Sequence, residues 1–316
     1  MAGTERTVTQ PESGGNAGRK LKKLNRNPIA FTIISTVILT VYSLVIILPL
    51  IWAFYSSFKS ELDFGFNPLG LPKEIFGGWQ FENYAAAFRV LYIAVDTPDG
   101  GTRYVMFAEM FLNTVIYAAG CTVVATYSHV IVSYIVSRYS FGFGKFIYRL
   151  VIVVMALPIV GSLPSELQMA QMLGVYDNKI AIWIMKGGFS TMYFLILCAT
   201  FGGIPKEYSE AAQIDGAGHA VTCIKIIVPM AKNTIVAIML LFFIQYWNDY
   251  YTPMMFLPGS PTISYGLYWM QFSYRPEITT PIIFVGSIVV CLPVFVVYMI
   301  FRNRIMGAVM IGGIKA

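Results

Sequence analysis

One polar stretch, residues 204–230, lies between long apolar runs and carries the clearest chemistry-bearing pattern in the chain. It combines three carboxylates with a set of small residues, namely Glu207, Glu210, Asp215, Ala211, Ala212, Gly216 and Ala217. Glu207 follows Pro205 in a first helical turn, where a carboxylate complements the helix dipole. Small side chains let another backbone or a partner's groove approach closely. The stretch, bounded by residues 203–232, therefore predicts a docking element rather than a catalytic centre.

Two glycines in this stretch predict a sharp turn between two short helices. Gly216 and Gly218 supply left-handed or closely packed backbone that ends the first helix. A second helix is expected from about residue 220 to 228, and Pro229 then opens the next element. Taken alone, the Glu-Ala-Ala segment is more typical of an ordinary amphipathic surface loop between two membrane helices than of a docking element.

Polar side chains also occur inside apolar runs, where such groups are costly and usually face a cavity or a partner. We interpret them as candidate wall residues of a translocation path: Glu166, Lys186, Gln245, Trp247, Asn248, Asp249 and Tyr250. Planar hydrogen-bonding groups beside aromatic faces are suited to sugars. Two alternatives stay open. For Glu166 and Lys186, the alternative is that the side chains extend to the membrane interface. For Asn248 and Asp249, it is that they form hydrogen bonds between helices.

The sequence lacks the patterns of an enzyme. The Gly-x4-Gly-Lys-Ser/Thr loop that binds nucleotide phosphates does not occur, since residues 142–145 lack the earlier Gly and the hydroxyl residue. His129 and His219 lie far apart, and the four Cys show neither metal nor disulfide spacing. We therefore expect no catalytic residue, no metal site and no cofactor bound by this chain.

Composition indicates a membrane protein. The 316 residues are 57% hydrophobic and 12% charged, against roughly 25% charged residues in soluble domains. A span needs about 20 apolar residues, and six segments qualify: 29–55, 107–136, 147–169, 180–201, 234–257 and 281–301. The fourth is interrupted at Lys186 and two glycines. The predicted fold class is an all-α polytopic membrane protein with six transmembrane helices, with the polar stretch joining the fourth and fifth.

Basic residues set the orientation of these spans. Most of the 22 Lys and Arg residues lie in the N-terminal tail, the second-to-third connection, the polar stretch and the C-terminus. The positive-inside rule places these segments and both termini in the cytoplasm, so the +6 charge requires no nucleic acid. We predict a disordered tail at 1–27, a transmembrane domain at 28–316 and an external loop at 56–106 with a helix at 81–88.

Several motifs, in order, resemble one family. The Glu-Ala-Ala pattern with its following Gly and its Ile-x-Val-Pro ending at Pro229 resembles the "EAA" loop of binding-protein-dependent ABC importers. The fuller form is similar to the maltose-permease-like, six-helix, carbohydrate-uptake branch. Weaker matches follow the first span at Lys59, at the Arg138 exit of the second span, and at Trp-Asn-Asp-Tyr in the fifth. The resemblance runs from about residue 31 to the C-terminus. Residues 92–103 look like an insertion relative to the family pattern. This insertion forms either a hairpin that meets an extracytoplasmic partner or a plain surface excursion.

The resemblance implies a permease subunit of an ATP-driven sugar or oligosaccharide importer in a prokaryotic cytoplasmic (inner) membrane. Implied partners are a second permease subunit, two cytoplasmic ATPase subunits that hold ATP and Mg²⁺, an extracytoplasmic solute-binding protein and membrane lipid. In that family the loop is a coupling helix seated in a groove of the ATPase, with Glu210 and Gly216 pivotal here. The alternatives are an importer of another solute, or a secondary transporter or scaffold without an ATPase.

Overall fold

A computed structural model describes residues 28–97, 99–139, 141–157 and 161–312. The predicted tail at 1–27 and the last residues, 313–316, lie outside this part of the chain. Two compact units are formed, one ending at Ala53 and one beginning at Phe54. Helix α1 (Pro28–Ser56) continues through Pro49. Its Thr36 and Ser43 hydroxyls donate to main-chain carbonyls four residues earlier, which satisfies polar groups in an apolar helix.

The loop at 56–106, which was predicted to be external, is ordered into short elements. They are α2 (Glu61–Phe66), a 3₁₀ turn (Glu74–Phe76), α3 (Glu82–Val90), β1 (Tyr92–Asp96) and β2 (Thr102–Met106). The strands form an antiparallel hairpin in which Tyr92 lies opposite Met106. The helix predicted at 81–88 is confirmed as α3, and the segment 92–103 takes the hairpin form rather than that of a plain excursion.

A long central helix, α4 (Phe107–Arg138), organises the rest of the chain and packs most extensively against α8 and α12. The elements after it are α5 (Gly142–Ala156), α6 (Leu163–Met172), α7 (Lys179–Met185), α8 (Met192–Gly202), α9 (Glu207–Ile214), α10 (His219–Thr222), a π-helical turn (Cys223–Ile227), α11 (Val228–Met230), α12 (Lys232–Trp247), α13 (Tyr251–Phe256), α14 (Ile263–Phe272) and α15 (Thr280–Gly312). The core runs along α4, from Val105 and Met110 past Tyr117 and Cys121 to Ile227.

The six predicted spans all fall on helical segments, but three of them are not continuous helices. Within the described ranges, Phe31–Ser56, Phe107–Arg138 and Thr280–Arg302 are each long and apolar enough to cross a membrane. The pair His219–Met230 and Lys232–Trp247 passes the same test as one span bent by 80°. The expected single helices at 147–169 and 234–257 are therefore wrong, whereas the interruption expected in the fourth segment is confirmed.

Local backbone chemistry explains the breaks. Leu157 precedes Pro158, and its extended backbone (φ −86°, ψ 119°) follows the steric rule for a residue before proline. Gly161 is left-handed at φ 84°, so the helix cannot continue into α6. In the fifth segment α12 ends at Trp247, and a new helix starts only after Asp249. Each break leaves backbone groups that a membrane protein must satisfy internally.

Candidate functional site

The polar loop between α8 and α12 is built as two helical arms with a glycine turn. The turn after α9 is a Schellman motif, in which Ala217 N–H donates to Ala212 O (2.8 Å) and Gly216 N–H to Gln213 O (3.0 Å). Gly216 has φ 80°, a conformation that a residue with a Cβ enters only at a cost. The left-handed glycine predicted there is confirmed.

Other details of the loop differ from the sequence-based expectation. Gly218 is extended (φ −69°, ψ 164°) and precedes α10, so it is neither left-handed nor closely packed. Pro205 lies two residues before the first residue of α9, rather than at its first position. Pro229 lies inside α11, and the change of direction comes at Ala231. The outgoing arm is thus a mixed α and π helix rather than one plain helix.

The predicted docking residues separate into an exposed surface and a buried anchor. The exposed members are Glu207, Glu210, Ala211, Asp215 and Gly216. Ala212 is buried, with 4% of its surface exposed, and Ala217 is half-buried. The small residues thus have two roles. Ala212 and Ala217 pack the loop against the rest of the chain, whereas Ala211 and Gly216 leave the exposed surface free of large side chains.

Two apolar side chains on α9 complete the exposed surface of the loop, and neither was among the predicted site residues. Ile214 is 86% exposed and Tyr208 is 49% exposed, so two large apolar side chains lie on the surface of an otherwise polar loop. Exposed apolar groups beside charged ones mark contact surfaces for other proteins. The signal was available in the sequence, since both residues interrupt an otherwise polar segment.

A polar cavity of about 310 Å³ opens between the end of α4 and the loop. Its lining includes Glu210 together with the basic side chains of Arg138, Lys206 and His219. The loop therefore presents charged groups of both signs along one surface. No group of three or more His, Cys, Asp or Glu side chains in the described part of the chain is arranged as metal ligands.

A second polar cluster joins two helix breaks inside the apolar region. Lys186, at the end of α7, places Nζ 3.6 Å from Asp249 Oδ2 and donates to Thr252 Oγ1 (2.7 Å). Tyr117 of α4 donates its hydroxyl to the same Asp249 oxygen (2.7 Å). The other oxygen, Oδ1, accepts the Thr252 N–H (3.0 Å) and so caps the start of α13.

The remaining predicted path residues do not gather around this cluster. Trp247 is 2% exposed and donates Nε1–H to Val290 O (3.0 Å), so the expectation that it faces a path is wrong. Tyr250 stacks on Tyr268, with ring centroids 4.4 Å apart. Asn248 and Gln245 are exposed, and Asn248 donates back to its own helix. Glu166 is exposed in the first turn of α6, and its carboxylate forms no described ion pair.

Comparison with known proteins gives the family. Residues 129–307 match the family model described as binding-protein-dependent transport system inner membrane component. The chain belongs to this family. The match includes the whole polar loop and both members of the Lys186–Asp249 pair, whereas Tyr117 of the second cluster lies before the matched residues.

Relatives of this inner-membrane component support the same assignment along most of its length. It is 26% identical over 284 residues to the diacetylchitobiose uptake system permease protein NgcG of Streptomyces coelicolor, covering 88% of this chain and 87% of the relative. The maltodextrin transport system permease protein MdxG of Bacillus subtilis is also 26% identical over 284 residues, covering 88% and 94%. The chain is thus an inner-membrane permease component rather than an enzyme.

A solved structure shares the fold of this permease component. It is a chain of a bacterial ABC transporter involved in the import of the acidic polysaccharide alginate. The TM-score is 0.68 at 24% identity, and the match covers 88% of this chain and 98% of that one. The helix breaks and the bent pair that ends with α12 therefore occur within a polytopic helical fold that is already known from experiment.

Proposed function

We propose that this chain is the permease subunit of an ATP-driven, solute-binding-protein-dependent importer of a sugar or oligosaccharide. Family membership carries the transport assignment. Saccharide cargo is supported by the relatives, whose names specify diacetylchitobiose and maltodextrin. The chain would work with a second permease subunit and two cytoplasmic ATPase subunits that hold ATP and Mg²⁺. An extracytoplasmic solute-binding protein would deliver the cargo, and both termini would lie in the cytoplasm.

The loop at 203–232 is the proposed contact with the ATPase. Its outer surface offers Glu207, Glu210 and Asp215 as charged acceptors, and Ile214 and Tyr208 as apolar contacts. Charge-assisted hydrogen bonds to carboxylates are the strong ones in such interfaces. Ala212 and Ala217 hold the loop against the chain, while the Gly216 turn sets the angle between its two arms. A push on α9 would thereby reach the membrane helices.

The cluster of Lys186, Asp249, Tyr117 and Thr252 marks the proposed moving region of the path wall. Discontinuous helices near the midplane commonly form transporter sites, because their freed backbone groups need polar partners. Asp249 has an ammonium, a phenol and a backbone N–H as partners. Its charge is therefore balanced inside the chain, and we expect the exposed Gln245 and Asn248 amides to meet a neutral sugar instead.

The test is co-purification followed by reconstitution. The chain is isolated from its native membrane, its partners are identified, and the complex is placed in liposomes with the solute-binding protein. We expect ATPase subunits in the complex and ATP turnover that rises with sugar-loaded binding protein. Uptake by a purified chain that carries no ATPase would favour a secondary transporter. Stimulation by an amino acid or phosphate instead of a sugar would overturn the cargo assignment.

A charge reversal tests the coupling surface. Glu210→Lys is expected to leave the chain inserted but to separate ATP hydrolysis from uptake, because an exposed acceptor is replaced by a cation. Glu210→Gln retains an acceptor oxygen and should show a smaller loss. Glu82→Lys changes an exposed carboxylate in the first turn of external helix α3 and serves as the matched control. Normal sugar uptake by Glu210→Lys would contradict the role given to this loop.

A further inference from the structure

Arg138, the last residue of α4, forms hydrogen bonds with residues 204–209, in the incoming arm of the loop at 203–232, here called the coupling loop after its proposed role. Its Nη1 donates to Ile204 O (2.5 Å) and, at longer range, to Phe201 O (3.4 Å). Its Nη2 donates to Ser209 Oγ (2.5 Å) and to Pro205 O (3.4 Å). One guanidinium thus joins three consecutive parts of the chain: the end of α8, the turn after it, and the first turn of α9.

The chemistry of these acceptors explains why an arginine serves here. The last carbonyls of a helix lack intrahelical partners, and the negative end of the helix dipole favours a cation. A guanidinium offers five N–H donors in a fixed planar fork, whereas a lysine ammonium is a compact charge on a flexible stem. Arg138 is half-buried, so its charge-assisted bonds are partly shielded from water.

Tyr139, the next residue, contacts the outgoing arm. Its hydroxyl lies 3.1 Å from His219 Nδ1, and the two rings pack edge-to-face with centroids 5.5 Å apart. His219 is the first residue of α10, directly beyond the Gly216 turn. Two adjacent residues at the end of α4, Arg138 and Tyr139, therefore contact the loop on both sides of its turn.

The same helix also reaches the cluster around Lys186 and Asp249. Tyr117, on α4, donates to Asp249 at the break between α12 and α13. Helix α4 is continuous from Phe107 to Arg138, so it connects the loop contact to the helix break without an intervening hinge. A displacement of the loop that is held by Arg138 would move α4 as a rigid body.

We propose that Arg138, assisted by Tyr139, is the positioning residue that fixes the coupling loop to the end of α4. Without it, motion of the loop is absorbed by bending at residues 203–206 instead of being passed to the membrane helices. The consequence for transport rests on the function proposed above. The contact itself does not, because it lies within this single chain and can be measured without a partner.

The first experiment measures the loop in the purified full-length chain in detergent. Trypsin cleavage after Lys206, an exposed residue of the incoming arm, reports how often the arm detaches. Arg138→Met keeps an apolar stem but has no donors, and we expect cleavage about tenfold faster. Arg138→Lys should lie between Arg138→Met and the wild type. Lys145→Gln, at an exposed basic residue of α5, is the control and should cleave at the wild-type rate. Equal cleavage in all four proteins would overturn the proposal.

The second experiment uses the reconstituted complex with its ATPase subunits. We expect Arg138→Met to co-purify with the ATPase at the wild-type level but to move severalfold less solute per ATP hydrolysed, and Arg138→Lys to restore part of the ratio. Loss of co-purification would place Arg138 in the ATPase interface and contradict a positioning role. An unchanged ratio of solute moved to ATP hydrolysed would also contradict that role. If the wild type itself shows no ATP-driven uptake, the proposed function fails, and the cleavage rates alone decide whether Arg138 fixes the loop to the end of α4.

Discussion

Lys186 Nζ lies 3.6 Å from Asp249 Oδ2, so an ammonium and a carboxylate meet where two membrane segments are both interrupted. About a quarter of the Lys186 side chain is exposed (27%), and slightly less of Asp249 (18%). The pair is therefore largely shielded from solvent, and breaking it leaves a charge without its partner. Tyr117 and Thr252 complete the cluster, which ties α7, α13 and the central helix together.

Removing Asp249 should destabilise the chain more than removing Lys186. Asp249→Ala loses the Tyr117, Thr252 and Lys186 contacts together, at an expected cost of about 1–3 kcal/mol. Lys186→Met leaves Asp249 with its phenol and N–H donors and should cost less. Thermal unfolding of both variants and of the double variant, in detergent, measures the coupling. Additive effects would show that the two side chains do not stabilise each other.

This cluster also illustrates what the sequence does not reveal. Hydropathy measures how favourably a segment enters a membrane and not whether it forms one continuous helix. The runs at 147–169 and 234–257 were therefore both predicted as spans, although each contains a break between two helices. The partner of Lys186 lies on a different helix, and neither spacing nor periodicity encodes such a contact. Trp247 was misplaced for the same reason, because its hydrogen bond to Val290 O depends on how α12 packs against α15.

Local patterns were predicted better, because their causes are local. The turn at Gly216, helix α3 and the interruption after Lys186 all follow from backbone preferences within a few residues. Arg138 belonged to a recognised motif, yet its acceptors on α8 and α9 became visible only in three dimensions. The position of the polar loop in the sequence was predictable, whereas the hydrogen bonds that attach it to α4 were not.

Alanine at Gly216 should destabilise the turn between the two arms of the loop, whereas alanine at Gly218 should not. The φ of 80° at Gly216 costs a residue with a Cβ roughly 1–2 kcal/mol. Gly218 has φ −69°, and nothing lies within 4 Å of the position that a Cβ would take. Hydrogen exchange of the loop amides in the purified chain should accelerate in Gly216→Ala and stay unchanged in Gly218→Ala. Equal exchange rates in the two variants would show that a Cβ at Gly216 does not destabilise the turn.

Gly120 is expected to be a packing requirement of the central helix. A Cβ there would lie 2.1 Å from Trp183 Cε2, so the indole of α7 occupies the space that a side chain needs. Gly120→Ala should therefore force α7 away from α4 and cost about 1–3 kcal/mol. Gly65→Ala in α2 is the matched control, because its Cβ would meet nothing within 4 Å. A thermal midpoint of Gly120→Ala at or above that of the control would contradict this packing.

The loop at 56–106 has a buried lysine of its own. The Lys59 side chain has no exposed surface, and its Nζ donates to Asn67 O (2.6 Å) and Pro68 O (3.2 Å). Burial lowers the pKa of the Lys59 ammonium below its ordinary value, and the nearby Asp63 carboxylate opposes this effect in part. The folded chain therefore releases this proton at a lower pH than the unfolded chain does.

The pH dependence of stability tests that environment. Between the lowered pKa of Lys59 and its ordinary value of 10.5, the unfolded chain binds more protons, so stability should rise with pH. Below the lowered pKa both states are protonated, and Lys59 adds no slope. Thermal midpoints from pH 7 to 10.5 should show this rising component in the wild type and lose it in Lys59→Met. Lys73→Met keeps the main-chain Lys73 N–H bond to Asp63 and removes only the weakest of the three influences on the pKa of Lys59, so it should retain most of this component. Parallel curves for wild type and Lys59→Met would mean that Lys59 titrates as it does in the unfolded chain.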